Sequence, residues 1–342
     1  MSDALLRDAL HTVVAGGDLD RDTSRRVMDM VMEGAATPAQ MGALLTALRA
    51  KGETVDELTG MVESMRDHAT QVRLDVDAVD TCGTGGDRAG TFNISTLAAL
   101  VVAGAGCPVA KHGNRAASSR CGSADVLEAL GVAITLPPEG VARCVAEAGI
   151  GFMFAPAFHP AMRHVAPVRR ELGFRTVFNV LGPLANPARV RHQAIGVADA
   201  SLALRMAQVL QRIGHRHALV FSGPGGVDEL GVGGVADGYE AGPEEVRLFC
   251  VDPGALGIEP VTVESVRGGD AAANALTIRT VLDGEPGPAR DVGLLNAAAA
   301  LLAAERCKDL SEGIERARQS IDSGAARRSL ETLISVSNEA AR

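Results

Sequence analysis

The densest chemistry in the chain lies between residues 81 and 125. In Thr81-Cys-Gly-Thr-Gly-Gly-Asp87, glycines at the end of a β-prone run let backbone N–H groups turn inward around a phosphate, with no side chain in the way. Asn93, Ser95 and Thr96 then open an apolar helical pattern, and a helix N-terminus flanked by hydroxyls is a ready anion site. Lys111 ends a second β-prone run and can place a point charge on the same anion. Ser123 stands where a third helix begins and reads as its N-cap. Turns and caps account for any one of these segments alone. Three polar helix starts and a lysine in one stretch point instead to an anion site at one sheet edge, where open α/β sheets bind ligands. Two familiar phosphate motifs fail: a Walker A loop needs Gly-Lys-Ser/Thr where Asp87 and Arg88 follow Gly86, and Arg88 also occupies the third small position of the dinucleotide fingerprint. Gly231-Val-Gly-Gly-Val-Ala236 matches that fingerprint by chance and reads as a loop.

Asp228 and Glu229 follow the glycine-rich turn Ser222-Gly-Pro-Gly-Gly226. Acidic pairs are ordinarily solvated, but beside a phosphate site such a pair suits Mg²⁺, which takes a few carboxylates, waters and substrate phosphate. Arg169, in the basic segment His159-Pro-Ala-Met-Arg-His164-Val-Ala-Pro-Val-Arg169-Arg170, can clamp a planar carboxylate through two parallel hydrogen bonds; the bland alternative is a solvated helix face. His159 and His164 read as structural, not as metal ligands. There is no Gly-x-Ser-x-Gly elbow, so no serine is offered as a nucleophile.

These residues need a scaffold, and the periodicity supplies one. Thr37-Pro-Ala-Gln40 and Thr54-Val-Asp-Glu57 are capping boxes, each followed by apolar residues at i, i+3, i+4 and i+7: Met41, Leu44, Leu45 and Leu48, then Leu58, Met61, Val62 and Met65. Residues 1–72 therefore read as a small helical domain whose apolar stripes either a second copy of the chain or the rest of this one must cover. From Val76 the texture changes to β-prone runs at Val76–Thr81, Val109–His112, Gly151–Phe154, Thr176–Val180, Gln193–Val197, Ala218–Phe221 and Val246–Cys250, with helical patterns such as Ala124–Leu130 and Leu202–Ile213 between them. That alternation predicts a larger α/β domain over 73–342, with a mixed, mostly parallel sheet and with a segment near 160–190 packed on the helical domain. Pro167 predicts two short helices or a kink within Ala161–Leu172, and Glu312–Ser323 reads as the closing helix.

Composition narrows the function classes. With 342 residues, 46% hydrophobic and 22% charged, the chain is an ordinary globular protein of about two domains. It has no Trp and one Tyr, which argues against a stacking platform for single-stranded nucleic acid, and its net charge of −9 repels polyanions. Six scattered cysteines without a CxxC pair, no signal-like start and no apolar run near 18 residues give the expectation of a reduced, cytoplasmic protein with no nucleic-acid or membrane partner.

The ordered set of motifs resembles the anthranilate phosphoribosyltransferase family of tryptophan biosynthesis over nearly the whole chain: the capped helices at 37–69, Gly-Thr-Gly-Gly-Asp, Asn-Ile-Ser-Thr, Lys-His-Gly-Asn-Arg, Gly-Ser-Ala-Asp, His-Pro-Ala-Met, Asn-Val-Leu-Gly-Pro-Leu and Asp-Glu-Leu. The resemblance implies that phosphoribosyl pyrophosphate is contacted by Gly83, Gly86, Asp87, Thr91, Asn93, Ile94, Ser95, Thr96, Lys111, His112, Gly113, Asn114, Arg115, Ala116, Ala117, Ser118, Ser119 and Ser123. It implies Mg²⁺ on Ser95, Asp228 and Glu229, anthranilate on Gly83, Asn114 and Arg169, and a homodimer formed through the helical domain. Two departures stand out: Arg88-Ala89 extends the first loop, and Gly231-Val-Gly-Gly follows Asp-Glu-Leu where the family more often has polar residues.

The implied reaction moves phosphoribose to the amino nitrogen of anthranilate. Breaking the bond to pyrophosphate builds positive charge on the ribose and negative charge on the leaving group, so Mg²⁺, loop amides and Lys111 would neutralise the latter. No residue declares itself as general base; His112 is the nearest candidate, with backbone contact to substrate as its rival role. Two alternatives are a pyrimidine nucleoside phosphorylase-like enzyme, whose lysine segment lacks Lys-His-Gly-Asn, and a non-catalytic nucleic-acid-binding paralogue, against which the charge counts.

Overall fold

The computed structural model describes residues 2–87, 89–116 and 120–342, so Arg88, Ala117, Ser118 and Ser119 lie outside the described residues. Four helices come first: α1 (Ser2–Val14), α2 (Arg21–Met32), α3 (Pro38–Lys51) and α4 (Val55–Asp67). Both capping boxes form. Thr37 and Thr54 accept from the amides of Gln40 and Glu57, whose side chains accept in return from the threonine amides. Glu57 is fully buried and also accepts from Lys51 Nζ at 2.9 Å and Leu19 N at 3.0 Å, so one carboxylate ties the ends of α3 and α4 to the turn before α2. The stripes of α3 and α4 are buried as their spacing predicts.

The rest alternates: β1 (Val79–Gly83), α5 (Ile94–Gly104), β2 (Val109–Gly113), α6 (Ser123–Leu130), α7 (Pro138–Ala148), β3 (Ile150–Phe154), α8 (Ala155–Phe158), α9 (Met162–Leu172), α10 (Phe178–Leu184), β4 (His192–Gly196), α11 (Ala203–Arg212), β5 (His217–Ser222), β6 (Ala236–Ala241) and β7 (Val246–Val251). Four helices close the chain: α12 (Ala271–Leu282), α13 (Pro288–Ala303), α14 (Leu310–Asp322) and α15 (Ala325–Ala340). The strands form one sheet in the order β3-β2-β1-β4-β5-β6-β7, parallel through β5 and antiparallel over β6 and β7. Chain order reverses between β1 and β4, and at such a switch point the loops leave in opposite directions and open a crevice at the strands' carboxyl ends.

Alternate residues of the central strands feed two cores. Ala194, Leu219 and Phe221 join α5 and α13 on one face, while Ile195, Ala218 and Val220 join α1–α4 and α9–α11 on the other. α9 packs on α2 and α3, and α10 on α4.

Four expectations are corrected. Thr176–Val180 is the start of α10, not a strand: the Thr176 amide donates to Asn179 Oδ1 at 3.0 Å and the Asn179 amide to Thr176 O at 2.9 Å, closing a helical turn. A short buried apolar run has no period that separates strand from helix. Of the two outcomes expected at Pro167, two short helices do not form: α9 runs as one helix through it. α14 is not the closing helix, because Gly324 at φ +70° turns the chain into α15. Ser123 is the first residue of α6, and Gly122 is its N-cap, with the Gly122 amide donating to Asp125 Oδ2 at 2.8 Å.

Candidate active site

β1 ends at Gly83 beside Gly196, the last residue of β4, and the Thr84 amide donates to Gly196 O at 2.9 Å. The glycine loop therefore starts at the switch point. A Cβ at Gly83 would stand 2.4 Å from Asp228 Oδ2, so a larger residue there would displace the carboxylate that accepts from the Gly85 amide at 2.7 Å. Burial, then the nearby Asp87, raises Asp228 to about 7, and burial with Asp228 raises Glu229 well above the usual carboxylate range. Asp87 Oδ2 is buried without a hydrogen-bond partner. The first turn of α5 faces the same place, since the Ser95 backbone lies close enough to Glu229 to oppose the rise in its pKa. Among the described residues no three His, Cys, Asp or Glu side chains form a ready-made metal cage. Two neighbouring acids destabilised by their own charge, an orphaned carboxylate oxygen and a serine still fit a cation that draws its other ligands from water and substrate phosphate.

Lys111 lies deeper than its sequence position implies. Its side chain is 2% exposed, crosses beneath β1, and donates from Nζ to Thr81 O at 2.5 Å and Ser95 Oγ at 3.4 Å. Burial lowers its pKa, and Asp80 opposes the shift. Asp80 is itself fully buried, accepting from Asn186 Nδ2 at 2.8 Å, Gln193 Nε2 at 3.4 Å and the His112 amide at 3.3 Å. The lysine thus acts from the floor of the crevice through Ser95, within reach of the carboxylate pair, with its own counter-charge in place.

Beside the loop opens a cavity of about 500 Å³ lined by Gly83, His112, Asn114, Arg169, Pro156, His159, Met162, Phe178 and Pro183, among others. Three residues taken as acceptor contacts from sequence, Gly83, Asn114 and Arg169, share this wall. Arg169 is half-buried, stacks 5.6 Å above the Phe178 ring and donates from Nη2 to Asn179 Oδ1 at 3.3 Å, with no carboxylate partner among the described residues. His112 and His159 face each other with ring centroids 5.0 Å apart, and each Nε2 is buried and unpartnered. Burial holds His112 at about 3 and His159 at about 4, so both rings are neutral.

Some expected residues stand elsewhere. Arg115 is spent on Asp125 and Glu128, and Ala116 donates its amide to Asp125 Oδ2 at 2.9 Å. Asn93 donates to Cys121 O at 3.2 Å and accepts from Asn274 Nδ2 at 2.9 Å, so its side chain braces the α5 start. Thr91 pairs with Arg267 in an isolated bridge, and Ile94 and Thr96 are buried beneath α5's first turn. Gly86 lies exposed in the glycine loop, and Ser123 Oγ is 3.4 Å from Asn114 O, whereas Gly113, at the end of β2, lines the cavity with its neighbours His112 and Asn114. Sequence reasoning missed Pro156, Met162 and Phe178 and took His159 as structural; the end of the third strand, read by the rule applied to the first two, would have drawn attention to Pro156 and His159. It also missed Arg175, which no spacing or motif announces.

The chain matches the model of a glycosyl transferase family α/β domain over residues 75–327 and that of the same family's helical bundle domain over 7–69. It is 56% identical to the anthranilate phosphoribosyltransferase of Roseiflexus castenholzii over 97% of this chain and 98% of that one. Among solved structures it is similar to the anthranilate phosphoribosyltransferase of Thermus thermophilus, with 43% identity, a TM-score of 0.92 and coverage of 97% and 99% of the two chains. It is also similar to the Saccharomyces cerevisiae enzyme in complex with PRPP and Mg, with 27% identity, a TM-score of 0.88 and coverage of 98% and 99%.

Proposed function

The chain belongs to the anthranilate phosphoribosyltransferase family, and on that premise we propose that it transfers the phosphoribosyl group of phosphoribosyl pyrophosphate to the amino nitrogen of anthranilate, giving N-(5-phosphoribosyl)anthranilate and pyrophosphate in tryptophan biosynthesis. The observation that carries the reading is the position of Gly83, which lines the acceptor cavity on one side and touches Asp228 on the other. A phosphate-binding loop and a pocket for a planar aromatic acid therefore meet at one residue, as a reaction joining the two requires.

In this reading Arg169 takes the anthranilate carboxylate, Phe178 and Pro183 flank the ring, and Asn114 orients the amine. The C1–O bond to pyrophosphate breaks as the N–C1 bond forms; the electron pair leaves with pyrophosphate, and the amine passes its proton to the departing pyrophosphate or to water. His112, held neutral, can accept a hydrogen bond in the cavity but is too weak a base to take that proton at neutral pH. The loop amides and Lys111 stabilise the negative leaving group. Ser95, Asp228 and Glu229 are the residues that would hold magnesium, which when bound would supply positive charge to the pyrophosphate. We also read the protein as a cytoplasmic homodimer; among the described residues no helix is long and apolar enough to cross a membrane.

The test mixes protein, anthranilate, phosphoribosyl pyrophosphate and Mg²⁺ and follows anthranilate fluorescence, which a chain without Trp scarcely obscures. Fluorescence should fall only when all components are present. A flat trace from folded protein, with phosphate-dependent release of base from a pyrimidine nucleoside, would replace this reading with a phosphorylase.

A further inference from the structure

Arg175 lies between α9 and α10, six residues after Arg169 and three before Phe178. It donates from Nη1 to Gly85 O at 2.5 Å and from Nη2 to Thr84 O at 3.3 Å, and no carboxylate among the described residues pairs with it. On the other side, the Gly85 amide is held by Asp228 Oδ2. The C=O and N–H of a peptide point in opposite directions across a rigid plane. Anchoring the Thr84 and Gly85 carbonyls on the arginine therefore fixes the planes before and after Gly85, and the Gly86 N–H faces away from the guanidinium. Gly85 and Gly86 sit at φ +61° and +75°, the left-handed region that glycine adopts without strain and other residues rarely enter. The arginine packs so closely that a Cβ on Gly86 would fall 1.8 Å from Nη1.

Building on the phosphoribosyl-transfer reading, we infer that Arg175 is a positioning residue for the donor: with the Gly85 amide taken by Asp228, it holds the Gly86 amide turned away from the guanidinium and free for the pyrophosphate, and it ties that loop to the segment carrying the acceptor clamp. A fork of five donors matches two adjacent carbonyls in a way an ammonium does not, so lysine can replace one of the two bonds. The experiment measures steady-state kinetics, pyrophosphate product inhibition and melting temperature for wild type, Arg175→Met and Arg175→Lys. For Arg175→Met, the donor KM and the pyrophosphate Ki should each rise about tenfold, as loss of charge-assisted hydrogen bonds implies. The anthranilate KM at saturating donor and the melting temperature should stay near wild type, and Arg175→Lys should fall between. An unchanged donor KM and Ki in active Arg175→Met overturns the inference while the functional reading stands. So does a parallel rise in both substrate KM values with a lowered melting temperature, which is the mark of a merely structural residue. Wild type that neither turns over nor binds pyrophosphate overturns the functional reading itself.

Discussion

Arg169 is half-buried on the cavity wall, where burial lowers its pKa and its guanidinium stacks on Phe178. A cation so placed has lost part of its hydration and regains it by binding an anion, which is why it is assigned the anthranilate carboxylate. Arg169→Ala should raise the anthranilate KM about tenfold or more while leaving the donor KM within about twofold, since a hydrogen bond to a charged group contributes about 1.5–3 kcal/mol. Steady-state kinetics in each substrate decides, and an unmoved anthranilate KM would shift the clamp to another residue such as Arg163. The two cavity histidines give a different signature. Their folded pKa values, about 3 for His112 and about 4 for His159, lie below the unfolded value of about 6.5, so between these limits the unfolded chain binds more protons. Their contribution to stability is complete above pH ~6.5 and is lost as pH falls, by about 2 kcal/mol each at pH 5. Asp228, raised by burial to about 7, pulls in the opposite direction between about pH 4 and 7, and Glu229, raised by burial, pulls the same way as Asp228. The clean measurement is thus a difference: in urea unfolding at pH 5 and pH 8, wild type should lose about 2 kcal/mol more than His159→Gln. Equal losses would mean that His159 is not held neutral.

At the scale of elements, sequence was informative wherever a local signal and the tertiary context agreed. Both capping boxes, the α3 and α4 stripes and the strands that carry Gly83, Lys111 and Gly196 follow from residue type and spacing, because each combines a stop signal with an apolar period. α10 was misread because Thr176, Val177, Phe178 and Val180 favour strands, and only contact with α4 and the Asn179 cap select the helix. β6 escaped notice for the opposite reason: Ala236-Asp-Gly-Tyr-Glu-Ala241 carries little β propensity and is a strand because β5 and β7 pair with it on both sides. The candidate site divides in the same way. Residues on strand ends and helix starts were legible, whereas the wall built by α9, α10 and the turn between them was visible only after those elements had packed against the helical domain.

For the molecule as a whole, α1, α3 and the end of α9 leave a groove lined by Val13, Val14, Gly42, Ala43, Ala47 and Leu172, which shares no lining residue with the cavity beside the glycine loop. Val14 is 68% exposed there, and small residues on α3 let another helix approach closely. A homodimer across this face would bury what a monomer leaves in water, through residues that do not line the cavity. Ala43→Glu puts a charge at the centre of the groove, where dimerisation would have to desolvate it. The variant should sediment at the monomer mass at concentrations where wild type is a dimer, and its kcat/KM should stay within about threefold of wild type. A variant that remains dimeric would move the interface away from this groove. A stable monomer without activity would mean that the partner completes the site.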